Sequence, residues 1–427
     1  MGLLVASSLP AATAIEWLEG SGALIPDLDP AALAAAPSVL RRWSSNFSSF
    51  NPSLLLLEQD ENGVSSMALA FFRVSNMHFC RGGSWRDRLA QQTHLRSYLG
   101  AAKINLATYV VTDATVLRAS ELFRTEGSEC ARETWMPAGP GIAGTFSGAE
   151  DPRAVWGVGH APKAPWLVVS AWSMECTSLR MHLIKLPAPG DRVRDAVEVA
   201  LFVDGWPERA PLAHPDTEPI HKNWLPFVHF GELFLEYAIE PRVVLRVDAH
   251  TGRCVLVGVA NEAPDDAADS CTDPPAAAKR AEGLDGGAFA SFPPLARLTA
   301  TYGRVSGGAP PVHVPAHRAY IGLAHVKASK DQPHLLGTSQ MRYRHLFYAF
   351  DDTPPFAVRA AGTPFVLPEP PTERGGRAGT PTVQFAAGMV LTSEGEELLI
   401  SYSVRDCGAR VARVRLDEVL RDVGLAW

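Results

Sequence analysis

Gly148-Ala-Glu-Asp-Pro-Arg153 is the stretch on which the interpretation of this chain depends. The ring of Pro152 clashes with a helical predecessor, so Asp151 is expected in an extended or turn conformation at the entrance of a strand. Because alternate residues of a strand share a face, Asp151 and Arg153 are expected on the same side. This pair indicates a sugar or phosphate site, although an ordinary turn with a solvated ion pair would show the same residues.

The composition of the chain is that of a globular protein with a large core. Of the 427 residues, 46% are hydrophobic and 20% are charged, which is typical of soluble domains. The net charge of −7 comes without a basic block, so neither a nucleic acid nor a membrane surface is predicted as a partner. The chain has no uninterrupted apolar run of about 18 residues, so no membrane span is expected.

The six cysteines form no CxxC pair, and no Cys/His cluster has the spacing of a zinc site. We therefore expect no metal site, and a reduced compartment is the simpler interpretation. The N-terminus lacks the basic segment of a secretory signal. These observations together predict a cytoplasmic protein.

Changes of composition and of hydrophobic spacing along the chain predict three segments. Residues 1–48 are predicted to be an N-terminal helical cap, since helix formers there place apolar residues three and four apart. In residues 49–415, short runs rich in Val, Leu, Phe and Tyr alternate with Gly, Pro and Asp turns, which is typical of an all-β domain. Its Asp-, Ala- and Pro-rich part, residues 262–287, is predicted to be a disordered insertion. Residues 416–427 are predicted to form a short C-terminal helix.

The predicted strands group into five units that recur every roughly 70–100 residues, and such a period favours a repeat architecture. A five-bladed β-propeller, with radial sheets around a channel, fits this pattern. A large β-sandwich is the alternative.

Each unit opens with polar residues that a propeller would bring together at one end of its channel. In chain order these are Asn51 with Arg73; Glu150, Asp151 and Arg153; Lys222 with Asn223; Arg304 with His325 and Tyr343; and Tyr402 with Asp406.

The polar openings resemble those of a known group of enzymes. Glu150-Asp-Pro-Arg153 resembles the acidic motif of the five-bladed propeller glycosidases and phosphorylases. The fourth unit is similar to the phosphate-binding blade of the mannoside phosphorylases, glycoside hydrolase family 130. The matching elements are Arg304 with Gly307-Gly-Ala-Pro-Pro311, Ala319-Tyr-Ile-Gly-Leu-Ala-His325 and Tyr343-Arg-His-Leu-Phe-Tyr-Ala-Phe-Asp351.

The last unit carries Tyr402-Ser-Val-Arg-Asp406, which resembles that family's closing element. The related mannosyltransferase/phosphorylases of glycosyltransferase family 108 share the fold. The resemblance covers residues 50–415. It departs from the family at Arg304, where a lysine is usual, at Ser403, which replaces a glycine, and in Lys222-Asn-Trp-Leu-Pro-Phe227, so a divergent branch is predicted.

The resemblance implies roles for these residues. Asp151 would be the catalytic acid, passing its proton through a sugar hydroxyl, and phosphate would attack with inversion at the anomeric carbon. The phosphate would be bound by Lys222, Arg304, His325 and Tyr343. The sugar would be bound by Asn51, Arg73, Glu150, Arg153, Asn223, Tyr402 and Asp406.

The sequence therefore predicts a carbohydrate-active enzyme that transfers a glycosyl unit, by resemblance a mannosyl unit, as a phosphorylase or glycosyltransferase. No cofactor is expected beyond inorganic phosphate, a sugar phosphate or a nucleotide sugar as co-substrate. One alternative is an inverting hydrolase with Glu236 or Glu240 as the base. The other is a glycan-binding propeller without turnover. The sugar, the linkage, the donor and the oligomeric state stay open.

Overall fold

Strands dominate the described part of the chain, which confirms the predicted all-β class. The computed structural model describes residues 15–19, 21, 23–25, 48–57, 66–75, 94–117, 145–159, 164–172, 179–186, 197–200, 202–203, 223–250, 252–257, 291–302, 304–328, 342–368, 383–404 and 408–425.

The strands form five groups, which we call sheets I to V. Sheet I contains β2 (Ser48–Leu56), β3 (Met67–Ser75), β4 (His94–Asn105) and β5 (Val111–Val116). Sheet II contains β6 (Thr145–Val155), β7 (Trp166–Trp172), β8 (Leu179–Lys185) and β9 (Val197–Ala200). A short parallel pairing of β4 with β6 joins these two groups into one eight-stranded sheet.

Sheet III contains β10 (Phe202–Val203), β11 (Leu225–His229), β12 (Glu232–Ala238), β13 (Val243–Val247) and β14 (Arg253–Leu256). Sheet IV contains β15 (Val305–Val314), β16 (Ala319–Ala328), β17 (Arg342–Asp351) and β18 (Val358–Ala361). Sheet V contains β19 (Gln384–Leu391), β20 (Glu397–Val404) and β21 (Gly408–Arg415), with β1 (Ala23–Ile25) paired antiparallel to β21. Helix α1 (Pro293–Tyr302) precedes β15, and helix α2 (Leu416–Asp422) follows β21.

Five apolar cores fill the spaces between successive sheets. Each contains buried side chains from two neighbours: Leu55 and Leu167 from I and II, Val168 and Leu233 from II and III, Phe227 and Phe350 from III and IV, Phe347 and Met389 from IV and V, and Val390 and Phe72 from V and I. Because both faces of a sheet are covered, strands such as β19 are almost continuously apolar. The core between V and I closes the sheets into a ring.

The strands β2, β6, β11, β15 and β19 contact one another in that cyclic order, and β19 also contacts β2. Four of them, β2, β6, β15 and β19, carry a shift of register against the second strand of their sheet. Such a bulge inserts an extra residue and redirects side chains. Two of the polar openings predicted from the sequence, Asn51 and the Glu150-Asp-Pro-Arg153 motif, lie at these bulges.

Most of the predicted N-terminal cap, residues 1–48, and all of the predicted insertion, residues 262–287, lie outside the described residues. The described part of the cap includes the strand β1. Among the described helices, none is long and apolar enough to cross a membrane.

Candidate active site

Asp151 lies inside β6, at a bulge between Glu150 and Arg153. Its φ of +51° is in the left-handed region, which is sparsely populated by residues other than glycine and is accessible to Asp and Asn. The expectation that Asp151 stands at the entrance of a strand is therefore wrong. The bulge also interrupts the alternation of strand faces. The prediction that Asp151 and Arg153 lie on the same side therefore does not follow from their spacing.

Asn51 repeats this backbone in β2, where the bulge lies between Phe50 and Ser53 and Asn51 has the same φ of +51°. Its Nδ2 donates a hydrogen bond of 2.6 Å to Oδ1 of Asp151. Ser403 of β20 in turn donates from its hydroxyl to Oδ1 of Asn51. All three residues are buried, so this chain of hydrogen bonds orients the Asp151 carboxyl group in a largely dry site.

Arg73 contacts both acids of the motif. Its Nη2 is 2.7 Å from Oε1 of Glu150, and its Nη1 is 3.6 Å from Oδ1 of Asp151. Its Nε donates to Oγ of Ser97 at 3.0 Å, and its guanidinium lies 5.2 Å from the ring centre of Phe50. The structure therefore brings together four predicted residues, Asn51, Arg73, Glu150 and Asp151.

Gly148 fixes the approach of β6 to β4. It pairs with Ser97 in the parallel ladder and has a φ of +93°. A Cβ atom at this position would lie 1.9 Å from the carbonyl oxygen of Ser97, which no rearrangement short of moving a strand would relieve. The glycine thus permits the close contact that places Glu150 next to Arg73.

Arg153 is only 2% exposed. Its Nε donates to the carbonyl of Gly308 at 3.0 Å, its Nη1 to the carbonyl of Asp151 at 2.5 Å, and its Nη2 to Oδ1 of Asn223 at 3.3 Å. The ring of Phe385 lies 5.1 Å from the guanidinium carbon. Burial lowers the pKa of Arg153 to about 10, against the opposing effect of the Asp151 charge. The prediction that Arg153 binds the substrate is not supported, because the guanidinium is enclosed by protein groups.

Asn223, two residues before β11, is the third member of this group in a left-handed conformation, after Asp151 and Asn51, with a φ of +67°. Its side-chain oxygen accepts from Arg153, so the structure brings it to the same end of the ring as Asp151. Lys222, the neighbouring predicted phosphate ligand, lies outside the described residues.

His325 and Tyr343 lie side by side on sheet IV, with ring centres 5.1 Å apart. The ring of Phe385 is 5.6 Å from His325, and since the same ring covers Arg153, it connects this pair to the Asp151 neighbourhood. His345 lies directly across from His325 in the sheet. Burial lowers the pKa of His345 to about 3, so its imidazole is neutral at physiological pH.

Arg304, the other predicted phosphate ligand, is exposed and immediately precedes β15. Its charge acts on Tyr237 of sheet III, whose pKa is nevertheless raised to about 12, mainly by burial. Of the four predicted phosphate ligands, the structure thus brings His325 and Tyr343 into contact.

Tyr402 faces away from the cluster. Its ring is buried in the core between sheets IV and V, and its hydroxyl donates to the carbonyl of Pro368 at 2.5 Å. Because successive strand residues point to opposite faces, the neighbours that reach the bulge of β2 are Ser403, through Asn51, and Ser401, which donates to the carbonyl of Pro52 at 2.6 Å. The sugar-binding role predicted for Tyr402 is not supported by this packing, and Asp406 lies outside the described residues.

Glu236 and Glu240, the carboxylates considered as a base for hydrolysis, serve structural contacts. Glu236 is buried, is paired with Arg242, and accepts from the hydroxyl of Tyr348 at 2.6 Å. Burial, followed by the Glu236 charge, raises the pKa of Tyr348 well above its usual value. Glu240 accepts from the amide of Phe292 at 3.0 Å, at the start of α1. Neither carboxylate belongs to the cluster around Asp151.

Two residues of the site, Phe385 and Ser403, were not selected from the sequence. The closing motif of the last unit pointed to Tyr402. Because neighbouring residues of a strand face opposite sides, it is Ser403 that reaches Asn51. Phe385 carried no polar signal, and its position became apparent only from the packing of sheet V against Arg153.

No family model matches the chain. No curated protein matches it significantly.

Solved structures share its fold. A glycosyl hydrolase from Bacteroides ovatus superimposes with a TM-score of 0.52 at 13% identity, covering 95% of each chain. A candidate glycosidase from Bacteroides thetaiotaomicron superimposes with a TM-score of 0.51 at 14% identity, covering 94% of this chain and 97% of that one. A β-1,2-mannobiose phosphorylase from Listeria innocua matches at a TM-score of 0.47 and 14% identity, over 89% of this chain and 94% of that one.

The fold of this all-β protein is thus the fold of a group of solved carbohydrate-active proteins. The distant relationship predicted from the motifs is confirmed at the level of the fold.

Proposed function

We propose that sheets I to V are the blades of a five-bladed β-propeller, and that the protein is a carbohydrate-active enzyme with Asp151 as its catalytic acid. The cyclic contacts of the five first strands and the five cores between successive sheets support the propeller. In this architecture β1, paired to β21, closes the last blade with the beginning of the chain.

The observation that carries the proposal is the convergence of all five sheets on Asp151. Asn51 and Arg73 contact its carboxylate, whereas Asn223, the carbonyl of Gly308 and the ring of Phe385 surround the arginine that binds its main chain. A left-handed, nearly buried acid costs free energy, and such strain clusters at functional sites. An ordinary turn with a solvated ion pair would not need this surrounding.

In the proposed reaction Asp151 supplies the proton for the leaving oxygen of a glycoside, and the nucleophile attacks the opposite face of the ring, giving inversion. The motif resemblance favours a mannosyl unit, with phosphate or an activated sugar as the second substrate. His325 and Tyr343, together with Lys222 and Arg304, would bind the anionic group. Asn51, Arg73, Glu150, Asn223 and Asp406 would bind sugar hydroxyls.

An inverting hydrolase is the second candidate, and the glycosyl hydrolase from Bacteroides ovatus with which this protein shares its fold favours it. Water would then replace phosphate, and a carboxylate base would be needed across the sugar from Asp151. Since Glu236 and Glu240 are engaged in structural contacts, this base would have to be a different acid.

A donor screen tests the proposal. The purified protein is offered mannose 1-phosphate, GDP-mannose or neither, with mannose-containing acceptors and oligosaccharides, and the products are analysed by mass. New mannosides with a donor, or phosphate-dependent release of mannose 1-phosphate, support transfer. Release of free sugar without phosphate supports hydrolysis. Glycan binding in calorimetry with no turnover under any condition would contradict an enzyme and leave a binding module.

A further inference from the structure

The backbone of the β6 bulge does not itself require an arginine. In β2 the position equivalent to Arg153 is Ser53, since each follows the left-handed residue by two and pairs with the next strand just after the bulge. Ser53 supports the neighbouring strand by accepting from the amide of Ala154 at 2.9 Å. A serine is therefore sufficient to form such a bulge, and the arginine in β6 must have another role.

Burying a guanidinium is costly unless its donors are well paired, and apolar replacements of buried ionic groups are often neutral or stabilising. Each of the three nitrogens of Arg153 donates to an oxygen, and these oxygens belong to sheets II and IV and to Asn223 at the start of sheet III. Phe385 of sheet V covers the guanidinium plane. Arg153 thus contacts groups from four sheets, and one of these contacts is its hydrogen bond to the Asp151 carbonyl.

We propose that Arg153 is the positioning residue of Asp151: its bond to the Asp151 carbonyl ties the main chain of this bulge to sheets III, IV and V and so aims the carboxyl group at Asn51 and the reacting oxygen. The bond acts on the main chain, and the guanidinium is enclosed, so Arg153 does not touch the substrate. This role rests on the proposed function, because it concerns the catalytic acid.

Arg153→Lys is the decisive variant, because lysine keeps the charge and loses the planar fork that reaches three oxygens at once. Arg246→Lys, on an arginine of β13 whose side chain is 53% exposed, is the matched control. We expect kcat of Arg153→Lys to fall about a hundredfold, the effect of a displacement of about 1 Å at the reacting group. Substrate affinity, measured by calorimetry and as KM, should change by less than about twofold, as expected when no substrate contact is removed.

Two outcomes would overturn the proposal. A weaker substrate affinity with unchanged kcat would make Arg153 a substrate contact. A lower melting temperature with unchanged kcat and KM would make it a structural residue. If Arg153→Lys does not fold, Phe385→Leu replaces it, since it keeps the arginine and the apolar cover but removes the aromatic face. It should lower kcat about tenfold, in the range of general acid–base losses, and an unchanged kcat would contradict the proposal.

A crystal structure of the variant separates this inference from the proposed function. In Arg153→Lys, or in Phe385→Leu if lysine prevents folding, the main chain of Asp151 should shift by about 1 Å relative to sheets III to V and carry its carboxyl group away from Asn51, whatever reaction the protein catalyses. If the wild type shows no turnover with any donor, the proposed function fails while this measurement still decides the positioning role. An Asp151 carboxyl group that stays at its wild-type position would contradict it.

Discussion

The bulges of β2 and β6 have the same backbone and different chemistry. Phe50-Asn51-Pro52-Ser53 and Glu150-Asp151-Pro152-Arg153 both shift register by one residue, and both place their second residue at a φ of +51°. The side-chain amide of Asn51 does not ionise, and its NH2 group donates a hydrogen bond to the carboxylate of Asp151. A repeated backbone thus supplies the position, and a single side-chain difference decides which sheet carries the acid.

The comparison extends to the other bulges. In sheets IV and V the corresponding segments are Gly307-Gly308-Ala309 and Ala386-Ala387-Gly388, which place no polar side chain there. The four bulges therefore differ, with polar side chains in sheets I and II and small residues in sheets IV and V.

Converting the β6 bulge to an amide should have the largest effect on activity. Asp151→Asn makes the two bulges alike and removes the proton donor, so turnover should fall about 10²–10⁴-fold. The melting temperature should change little, because the amide can replace most contacts of the carboxylate. The measurement is product formation by mass under the donor conditions that work for the wild type.

The matched control is Asp113→Asn. Asp113 also has a φ of +51°, but its side chain is 65% exposed and is paired with Lys103 at 2.8 Å. It should keep full activity. Full activity in Asp151→Asn would remove the catalytic assignment.

Gly148→Ala should have the largest effect on stability. Three residues before the left-handed position, β6 has Gly148 and β2 has Ser48, because only β6 must also pair closely with Ser97. The added methyl group would meet backbone at 1.9 Å, so we expect a loss of more than about 3 kcal/mol in the free energy of unfolding.

Chemical denaturation measures this loss, with Gly159→Ala as the control. Gly159 also has a positive φ, +69°, but no atom lies within 4 Å of its added Cβ, so its cost should be about 1 kcal/mol. Equal losses in the two variants would mean that the contact with Ser97 is not what requires a glycine.

Asn51→Asp would make both bulges acidic. Two carboxyl groups at 2.6 Å would share one proton, since like charges this close raise the pKa of one of the pair. If Asp151 acts as an acid, the alkaline limb of the pH–rate profile should move to higher pH. At the same time kcat should fall about tenfold, because the hydrogen bond that Asn51 donates to Asp151 is lost. An unshifted limb would show that Asp151 is not the group that titrates in this profile.

Ser403→Ala should have the smallest effect. Ser403 touches the amide of Asn51 and reaches Asp151 only through it, so losing one hydrogen bond of about 1 kcal/mol should reduce kcat several-fold. Ser401→Ala is the control, because Ser401 bonds the main chain of Pro52 from the same face of β20. Comparable losses of kcat in both variants would mean that the effect comes from sheet packing and not from the Asn51 amide.

The local patterns allowed a correct prediction of the all-β class and of several residues that lie together. Apolar runs separated by turn residues indicated strands, whereas the extended or turn conformation predicted for Asp151 is a left-handed bulge inside a strand. Arg73, Glu150 and Asn223 were also selected correctly as members of one cluster. The errors came where a tertiary contact overrode a local rule. The bulge interrupts the alternation of faces from which the position of Arg153 was predicted. The ring of Tyr402 is buried in the core between sheets IV and V.

Which residues form strands and which side chains carry protons and charge follow from the sequence alone, because these properties depend on neighbours a few residues away. Which of those side chains meet depends on the tertiary structure. Asn51 bonds Asp151 across 100 residues, and Ser403 bonds Asn51 across 352. Contacts at such separations depend on how five sheets pack against each other to within a fraction of an ångström, and no local pattern specifies that packing.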